Sequence, residues 1–318
     1  MLLAMGVGLG GCGSSGVQPL LPVEGAAEPV GVGSEPSASD YSAHLDLLAF
    51  GYDDGTYEVR SPAPEHVLSR GRHAAAIVNL AVSADGQRLV TADRNGVLAV
   101  SATASGDMQL LPRAASAELG LVAPLGLAWD HDGKRLATAS VTTARVMDVD
   151  SGRSQQVELG QEVNAVIFSP DDRELWVGGR RITCLSVPEL KETRRFALPT
   201  AHGWQAEHPN VLDLRFSPDG RTLGALLDVG VALFDAQTGE VQSALLRDWK
   251  PVGLRFASDG RMAAFSRNAF YVGPASAQSL KQGLHETSGL LWDIEFRRDD
   301  SLLFVGHGID AEVEALVE

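Results

Sequence analysis

Two short motifs have the residue types and spacing of chemical sites. The triplet Asp130-His131-Asp132 sets an imidazole between two carboxylates, which are groups that enzymes use for proton transfer. The sequence GVGLGG at 6–11 has the glycine spacing of loops that bind dinucleotide phosphates. Such a loop needs a strand before it and a helix after it, whereas here a methionine precedes and a Gly/Ser/Pro-rich stretch follows. We therefore reject the dinucleotide interpretation.

The segment PTAHGWQAEHPN at 199–210 concentrates side chains that could bind a partner, namely His202, Trp204, Glu207 and His208. An exposed tryptophan beside histidine and glutamate could anchor a protein or peptide. A metal site of histidine and glutamate is imaginable here, but no further protein ligand can be named to complete it. We predict a partner-binding loop without a metal. The alternative is that Trp204 only packs the loop onto its own blade.

Motifs of enzyme and metal chemistry are otherwise missing from the sequence. It contains no HExxH, no paired CxxC, no GxSxG and no Gly-Lys phosphate loop. Cys184 lies in an alternating apolar run, which predicts a small buried side chain and not a nucleophile. The sequence therefore predicts no catalytic residue, no metal and no cofactor.

A turn-like motif of the SPDG type recurs along the chain, and it sets the period of the sequence. Its aspartates are Asp85, Asp132, Asp171, Asp219, Asp259 and Asp299, spaced by 47, 39, 48, 40 and 40 residues. A period near 40 residues is the length of a four-stranded propeller blade. The triplet at 130–132 coincides with one of these turns, so we predict a structural role for it.

The residues before each aspartate alternate in the way of a strand with one apolar face. Mixed and often charged residues stand between the apolar ones, among them Asn79, Asp213, Arg215, Arg255, Asp293 and Glu295. The positions five residues before the aspartate hold Leu80, Leu127, Val166, Leu214, Leu254 and Ile294, and those seven before it hold Val78, Leu125, Asn164, Leu212, Val252 and Trp292. A second strand opens four residues after the aspartate, so the Asp-Gly or Asp-Asp pair predicts a hairpin turn.

Third and fourth strands are predicted in most units. Third strands lie at 97–102, 144–149, 182–187 and 231–236, and more polar fourth strands at 154–159 and 241–246. An earlier unit is recognisable at 45–61, with Asp54-Gly55 as its turn and a poorly patterned first strand near 37–42. The sequence therefore predicts seven units.

These units resemble the WD-repeat family of β-propellers in their SPDG turns and strand pattern, over residues 37–318. His73 stands where the family usually places its histidine, while the third-strand Trp-Asp pair appears only as Phe234-Asp235 and Met147-Asp148. The resemblance implies an all-β, seven-bladed β-propeller of four-stranded antiparallel blades. After the third strand at 310–317 the last unit lacks a fourth, and we predict that 17–23 supplies it from the N-terminus. The alternative is that 13–36 is only a flexible tether.

The two long spacings indicate insertions between blades, at roughly 107–124 and 199–210. In propellers such connections gather on one face, and loops on a rigid scaffold commonly carry function. This places the partner-binding residues of the second insertion on a face suited to recognition.

The N-terminus resembles a bacterial lipoprotein signal, because Leu9-Gly10-Gly11-Cys12 matches a lipobox. The resemblance implies that 1–11 is a signal segment, that Cys12 is lipidated, and that 12–36 is a tether. Gly13 after the cysteine favours the outer membrane. The segment before Cys12 is short and lacks a basic start, so a cytoplasmic protein remains the alternative.

The net charge of −15 argues against nucleic acid, whose binding needs clustered lysine and arginine. The sequence predicts a monomeric, non-catalytic interaction platform for a protein or peptide, anchored to a membrane in the cell envelope through Cys12. The alternatives are a propeller enzyme, lactonase-like or another hydrolase, with a polar central channel, and an envelope assembly factor.

Overall fold

The chain folds as an all-β protein whose sheets are the blades of a β-propeller. The computed structural model describes residues 3–7, 36–62, 65–111, 125–199, 209–246, 251–275, 285–286 and 290–307. Within these ranges all regular structure is strand, without helices, in six sheets of four strands and one of three. The described pairings between neighbouring strands are antiparallel.

The strands divide between two compact units. The N-unit, Val23–Arg195, contains four four-stranded sheets, the last strand of which continues to Ala197. Its strands are β2 (Pro36–Ser42), β3 (Leu47–Tyr52), β4 (Thr56–Pro62), β5 (Glu65–Arg72), β6 (Ile77–Val82), β7 (Arg88–Asp93), β8 (Leu98–Ala102), β9 (Met108–Leu110), β10 (Gly126–Trp129), β11 (Arg135–Ser140), β12 (Thr143–Asp148), β13 (Ser154–Glu158), β14 (Val163–Phe168), β15 (Glu174–Gly179), β16 (Arg181–Ser186) and β17 (Glu192–Ala197).

The C-unit combines Met1–Pro22 with Phe196–Glu318 and contains two four-stranded sheets and the three-stranded one. Its strands are β1 (Leu3–Val7), β18 (Val211–Phe216), β19 (Thr222–Leu227), β20 (Gly230–Asp235), β21 (Val241–Leu246), β22 (Gly253–Phe256), β23 (Arg261–Phe265), β24 (Ala269–Pro274), β25 (His285–Glu286), β26 (Leu290–Phe296) and β27 (Leu302–His307).

The predicted strands are confirmed closely, but the predicted number of four-stranded blades is wrong. Six blades have four strands, and the seventh sheet has three, in the order β1-β27-β26. An N-terminal strand does join this sheet, and it is Leu3–Val7. The strand predicted at 17–23 and the third strand predicted at 310–317 lie outside the described residues. An N-terminal strand was predicted for the last sheet, and the one described is Leu3–Val7, while the predictions for 17–23 and 310–317 stay untested.

Five of the recurrent aspartates accept a backbone amide within their own hairpin turns, namely Asp85, Asp171, Asp219, Asp259 and Asp299. Asp219 accepts a hydrogen bond from the Ser217 hydroxyl at 2.6 Å and from the Arg221 amide at 3.0 Å. Gly220 follows at φ 69°, a left-handed conformation that glycine adopts without steric cost. The bond from Ser217 holds the pKa of Asp219 below its usual value. The repeated aspartate is thus a turn-forming residue.

The hydrophobic cores lie between neighbouring sheets, face to face. One core joins β11 and β12 to β14 and β15, with Val146, Phe168 and Val177 buried in it. Another joins β19 and β20 to β22 and β23 through Leu233 and Leu254. Burying each such side chain contributes roughly 1.5–3 kcal/mol to stability. The sheets therefore hold one another in place, and this packing positions their first strands.

Candidate functional site

The first strands of successive sheets lie side by side within each unit. In the N-unit β2 lies beside β6, β6 beside β10 and β10 beside β14; in the C-unit β22 lies between β18 and β26. The approach is close at Gly126, where a Cβ would lie 2.8 Å from the Asn164 carbonyl oxygen. A larger residue at this position would force the two strands apart. The first strands thus form the inner edge of the blades.

A β-bulge interrupts most first strands at the same position. In β2, β6, β14, β18 and β26 the register shifts by one residue near the start of the strand. Leu125 and Val252, which stand just before β10 and β22, have the same geometry. The Leu125 amide donates to the Ala139 carbonyl, although Ala139 is the partner of Gly126, and the Val252 amide donates to the Phe265 carbonyl, although Phe265 is the partner of Gly253. The bulge column contains Ser37, Val78, Leu125, Asn164, Leu212, Val252 and Trp292.

The bulge exposes side chains that the alternation placed on the apolar face. Leu125 is 51% exposed, Leu212 is 44% exposed and Val252 is 49% exposed. The residues two positions later, such as Leu214 and Leu254, are buried as predicted. The prediction that the earlier column belongs to the core is therefore wrong for these three residues. A bulge re-aims a side chain by inserting one extra residue into the strand.

In the C-unit the bulge residues Leu212, Val252 and Trp292, together with Leu290, form an apolar rim at one end of three neighbouring strands. We call these four residues the C-unit rim. Leu290, the first residue of β26, is 40% exposed. The Trp292 indole nitrogen is buried and has no hydrogen-bond partner in the part of the chain described. Buried donors normally have a partner, so this N–H is an exception among the described residues.

Beyond the rim, an ionic cluster joins the same three strands. Arg255 on β22 donates from Nη2 to Asp293 Oδ1 at 3.0 Å and from Nε to Glu295 Oε1 at 2.5 Å, both on β26. Its Nη1 lies 4.0 Å from Asp213 Oδ2 on β18, and Arg215 Nε lies 3.0 Å from the same oxygen. Asp293 and Glu295 are buried, so this arginine is the hub of a desolvated network.

The electrostatics of this cluster favour a structural role. Burial opposes the charge of Arg255, but the carboxylates of Asp293, Glu295 and Asp213 outweigh burial and raise its pKa well above the ordinary value. A guanidinium that stays charged keeps its carboxylates engaged as hydrogen-bond acceptors. The carboxylates of Asp293 and Glu295 are thus already engaged in bonds within the protein.

In the N-unit, neutral bonds from side chains to backbone join the first strands. Ser37 Oγ on β2 donates to the Ile77 carbonyl on β6 at 2.7 Å. Trp129 Nε1 on β10 donates to the Ala81 carbonyl on β6 at 2.9 Å. The Asp40 carboxylate on β2 accepts a charge-assisted bond from the Val82 amide on β6 at 2.7 Å. The bond of Trp129 to the neighbouring strand indicates a structural role for this tryptophan.

His73 takes part in a buried hydrogen-bond network in the N-unit. Its Nε2 lies 2.8 Å from the Thr91 hydroxyl, and its Nδ1 lies 3.5 Å from Asp93 Oδ2. Asp93 also accepts from the amides of Asn95 and Val97 at 2.9 Å. Burial lowers the pKa of His73, and the Asp93 carboxylate only partly opposes this. His73 therefore stabilises its blade through Thr91 and Asp93.

The Asp130-His131-Asp132 triplet is part of a turn, as predicted. Asp130 is buried and accepts bonds from the Lys134 and Arg135 amides, and its Oδ2 pairs with Arg135 Nε at 2.7 Å. His131 reaches the next blade, where its Nδ1 lies 2.8 Å from Asp172 Oδ1. The triplet thus secures a turn and a contact between blades.

Asp172 and Asp300 form hydrogen bonds to the preceding blade that the sequence did not reveal. Both stand where most turns have glycine, and both have a left-handed backbone, with φ of 57° and 59°. Asp172 accepts from the His131 amide at 3.2 Å, and Asp300 accepts from the Ser258 amide at 2.8 Å. The signal was present as Asp-Asp in place of Asp-Gly. Each carboxylate clamps its turn to the preceding blade.

Cys184 is fully buried, and burial raises the pKa of its thiol to about 12. This confirms its interpretation as a small core residue. His202, Trp204, Glu207, His208 and Cys12 lie outside the described residues. The segment that contains His202–His208 leads to β18, two residues before the exposed Leu212, and the earlier insertion leads directly to Leu125. Both predicted insertions therefore precede exposed bulge residues.

No protein-family model matches the chain, and no curated protein matches it. In the described ranges, no three His, Cys, Asp or Glu side chains are grouped so as to hold a metal ion. The same ranges contain no helix with the length and hydropathy of a membrane span.

Proposed function

We propose that the chain is a non-catalytic binding platform that captures a peptide segment at the C-unit rim. The observation that supports this most strongly is the exposure of Leu212, Val252 and Leu290 at the same end of neighbouring first strands. Exposed apolar groups that lie together and have polar surroundings are typical of protein-binding surfaces. The unpartnered Trp292 N–H adds a donor for a peptide carbonyl.

The chemistry of the platform suggests its partner. The chain carries a net charge of −15, so it attracts cationic segments. We propose a peptide with an apolar side chain for the rim, flanked by lysine or arginine. The loop with His202, Trp204, Glu207 and His208 precedes Leu212 and would contribute a tryptophan anchor. A hydrolase alternative gains no support from the ionic cluster, because Arg255 engages its carboxylates. An envelope assembly factor would use the same rim.

The binding proposal can be tested with a displayed library of random peptides. We expect wild-type protein to enrich peptides that combine apolar and basic residues, and Leu212→Asp to lose them. Val241→Asp is the matched control, because Val241 is 43% exposed and lies on β21, away from the first strands. Peptides that bind all three proteins equally would contradict a site at the rim.

We also propose that Cys12 is lipidated and that residues 1–11 are cleaved off, which anchors the platform in the cell envelope. The lipobox sequence supports this. Metabolic labelling with a fatty-acid analogue in a bacterial host should label wild type and not Cys12→Ser. An unlabelled wild-type protein would contradict the anchor without affecting the binding proposal.

A further inference from the structure

Val141 in the N-unit has a backbone conformation that is unfavourable for its residue type. It is the first residue of the two-residue turn between β11 and β12, where Ser140 pairs with Thr143, and its φ is 50°. Glycine usually occupies this position of a hairpin turn, because it has no Cβ to clash at positive φ. For a β-branched residue the conformation is an outlier. The valine side chain is therefore present at a steric cost.

The other four left-handed residues that are not glycine, within the described ranges, use their side chains inside the protein. Asp46 accepts a hydrogen bond from a tyrosine hydroxyl at 2.6 Å, and Leu190 is buried in the core between two sheets. Asp172 and Asp300 each accept a backbone amide of the preceding blade. Val141, by contrast, is 44% exposed. Strained residues of this kind are found at functional positions, so the exposed valine is a candidate contact residue.

The backbone of the turn is held by the connection from β13 to β14. The Val163 amide donates to the Val141 carbonyl at 2.7 Å, and the Leu159 amide donates to the Thr142 carbonyl at 2.8 Å. Glycine at position 141 would accept the same bond, so these bonds explain the shape of the turn but not the valine side chain. A turn held in this way presents the side chain in one place, which lowers the entropic cost of binding.

Leu125 is a second exposed apolar residue at the same end of this blade. It is 51% exposed, and its amide donates to the carbonyl of Ala139, two residues before Val141. Its own carbonyl accepts from Asn79 Nδ2 on β6 at 2.9 Å. Both exposed side chains therefore stand on a backbone that is fixed by hydrogen bonds. We call Leu125 and Val141 the N-unit pair.

Two exposed carboxylates flank the turn. Glu158 on β13 accepts from the Thr143 hydroxyl at 3.1 Å, and Glu162 lies in the connection that holds the turn. Neither carboxylate forms an ion pair with another residue that the structure describes. Arg181 donates to a backbone carbonyl of the connection, at 3.4 Å from Leu159. An apolar pair beside carboxylates suits an apolar group that has a cation next to it.

We propose that the N-unit pair is a second contact site, independent of the C-unit rim, for a peptide with an apolar side chain next to lysine or arginine. Val141 and Leu125 contact the apolar side chain, and Glu158 and Glu162 attract the cation. The unfavourable backbone at position 141 is the cost of presenting valine at this point of the blade.

The site can be tested by selecting random displayed peptides on the Leu212→Asp variant, in which the C-unit rim is altered. We expect peptides that combine an apolar residue with lysine or arginine. Val141→Gly should weaken their binding about tenfold, because it removes an apolar contact. The same substitution should raise the Tm by about 2 °C, because it relieves the left-handed valine. Weaker binding by a more stable protein distinguishes a contact residue from a structural one.

Two further variants complete the test. Glu158→Gln combined with Glu162→Gln should weaken binding about threefold at low salt. Leu110→Asp is the matched control in the same unit, because Leu110 is 62% exposed and lies on the outer strand β9. It should bind within about twofold of the parent protein.

Other outcomes would overturn the proposal. Full binding by Val141→Gly would show that the valine does not touch the peptide, and a lower Tm would show that the turn is not strained. Unchanged binding by the double glutamine variant would contradict the attraction of a cation. A selection that enriches no peptide would exclude the site. Peptides that bind wild type and are lost in Leu212→Asp report on the C-unit rim alone, so failure of one site is distinguishable from failure of the other.

Discussion

The first strands of the two units are joined by different kinds of bond. In the N-unit, Ser37 and Trp129 each donate to a backbone carbonyl of β6, so each bond is made independently. In the C-unit, Arg255 joins β22 to β26 and approaches Asp213 on β18. The difference shows that neighbouring first strands can be joined either by several separate hydrogen bonds or by one arginine that bonds to several carboxylates. Loss of a separate bond removes that bond alone, whereas loss of the hub removes bonds from two buried carboxylates at once.

The largest effect is expected from Arg255→Met. It removes the Arg255 bonds of the buried Asp293 and Glu295, and breaking such a buried network costs about 3–5 kcal/mol. Urea denaturation, with hydrogen exchange of β22 and β26 to report on the C-unit, measures the loss. The matched control adds Asp293→Leu and Glu295→Met, which should recover most of the stability. A single variant as stable as wild type would contradict the hub.

The second largest effect is expected from acidification, which should lower the stability of the N-unit more than that of the C-unit. Burial lowers the pKa of His73 in the folded chain, so below about pH 6.5 the unfolded chain binds this proton more readily. The N-unit therefore loses stability as the pH falls, by at most about 1.4 kcal/mol per pH unit. Hydrogen exchange of β6–β8 between pH 7 and 5, corrected for intrinsic rates, measures this against β18–β20. The pH dependence should flatten in His73→Gln, and an unchanged slope would exclude His73 as its source.

A smaller effect is expected from Trp129→Phe in the N-unit. The substitution removes one neutral hydrogen bond to Ala81 and keeps most of the packing, which costs about 1 kcal/mol. The urea midpoint provides the measurement. A loss as large as that of Arg255→Met would show that the N-unit bonds also act as one network.

The turn clamps should give the smallest change in stability. Replacing Asp172 or Asp300 with glycine relieves a left-handed backbone but removes the bonds to the preceding blade. We expect losses of about 0.5 kcal/mol, with Asp300→Gly the more costly because its bond from Ser258 is shorter. Thermal unfolding compares the two variants. Stabilisation of both would show that backbone strain outweighs the clamp.

Much of the fold follows from the sequence because it depends on local chemistry. The Ser-x-Asp-Gly turn and the alternation around it involve neighbours in the chain, so strands such as β15 and β19 were predicted within a residue or two. The charged positions of the inner strands were also visible. Their partners were not, because pairing Arg255 with Asp293 requires knowing how two strands about 40 residues apart lie side by side.

The bulge and the N-terminal pairing could not be predicted for the same physical reason. A bulge keeps the apolar alternation while shifting the register by one residue, so Leu212 looks like a core residue and is exposed. The edge of β27 accepts any strand of suitable pattern, so the sequence could not choose among its candidates. Such features depend on the partner strand and leave little mark on the segment itself.

The exposed rim is the central claim, and peptide affinity tests it most directly. A basic-apolar peptide selected on wild type should be titrated against Leu212→Asp, Val252→Asp and the control Val241→Asp. Losing about 2 kcal/mol of apolar contact predicts about thirtyfold weaker binding for each rim variant. Val241→Asp should bind within about twofold of wild type, because surface changes away from an interface are nearly neutral. Equal affinity for all four proteins would contradict a binding site at the rim.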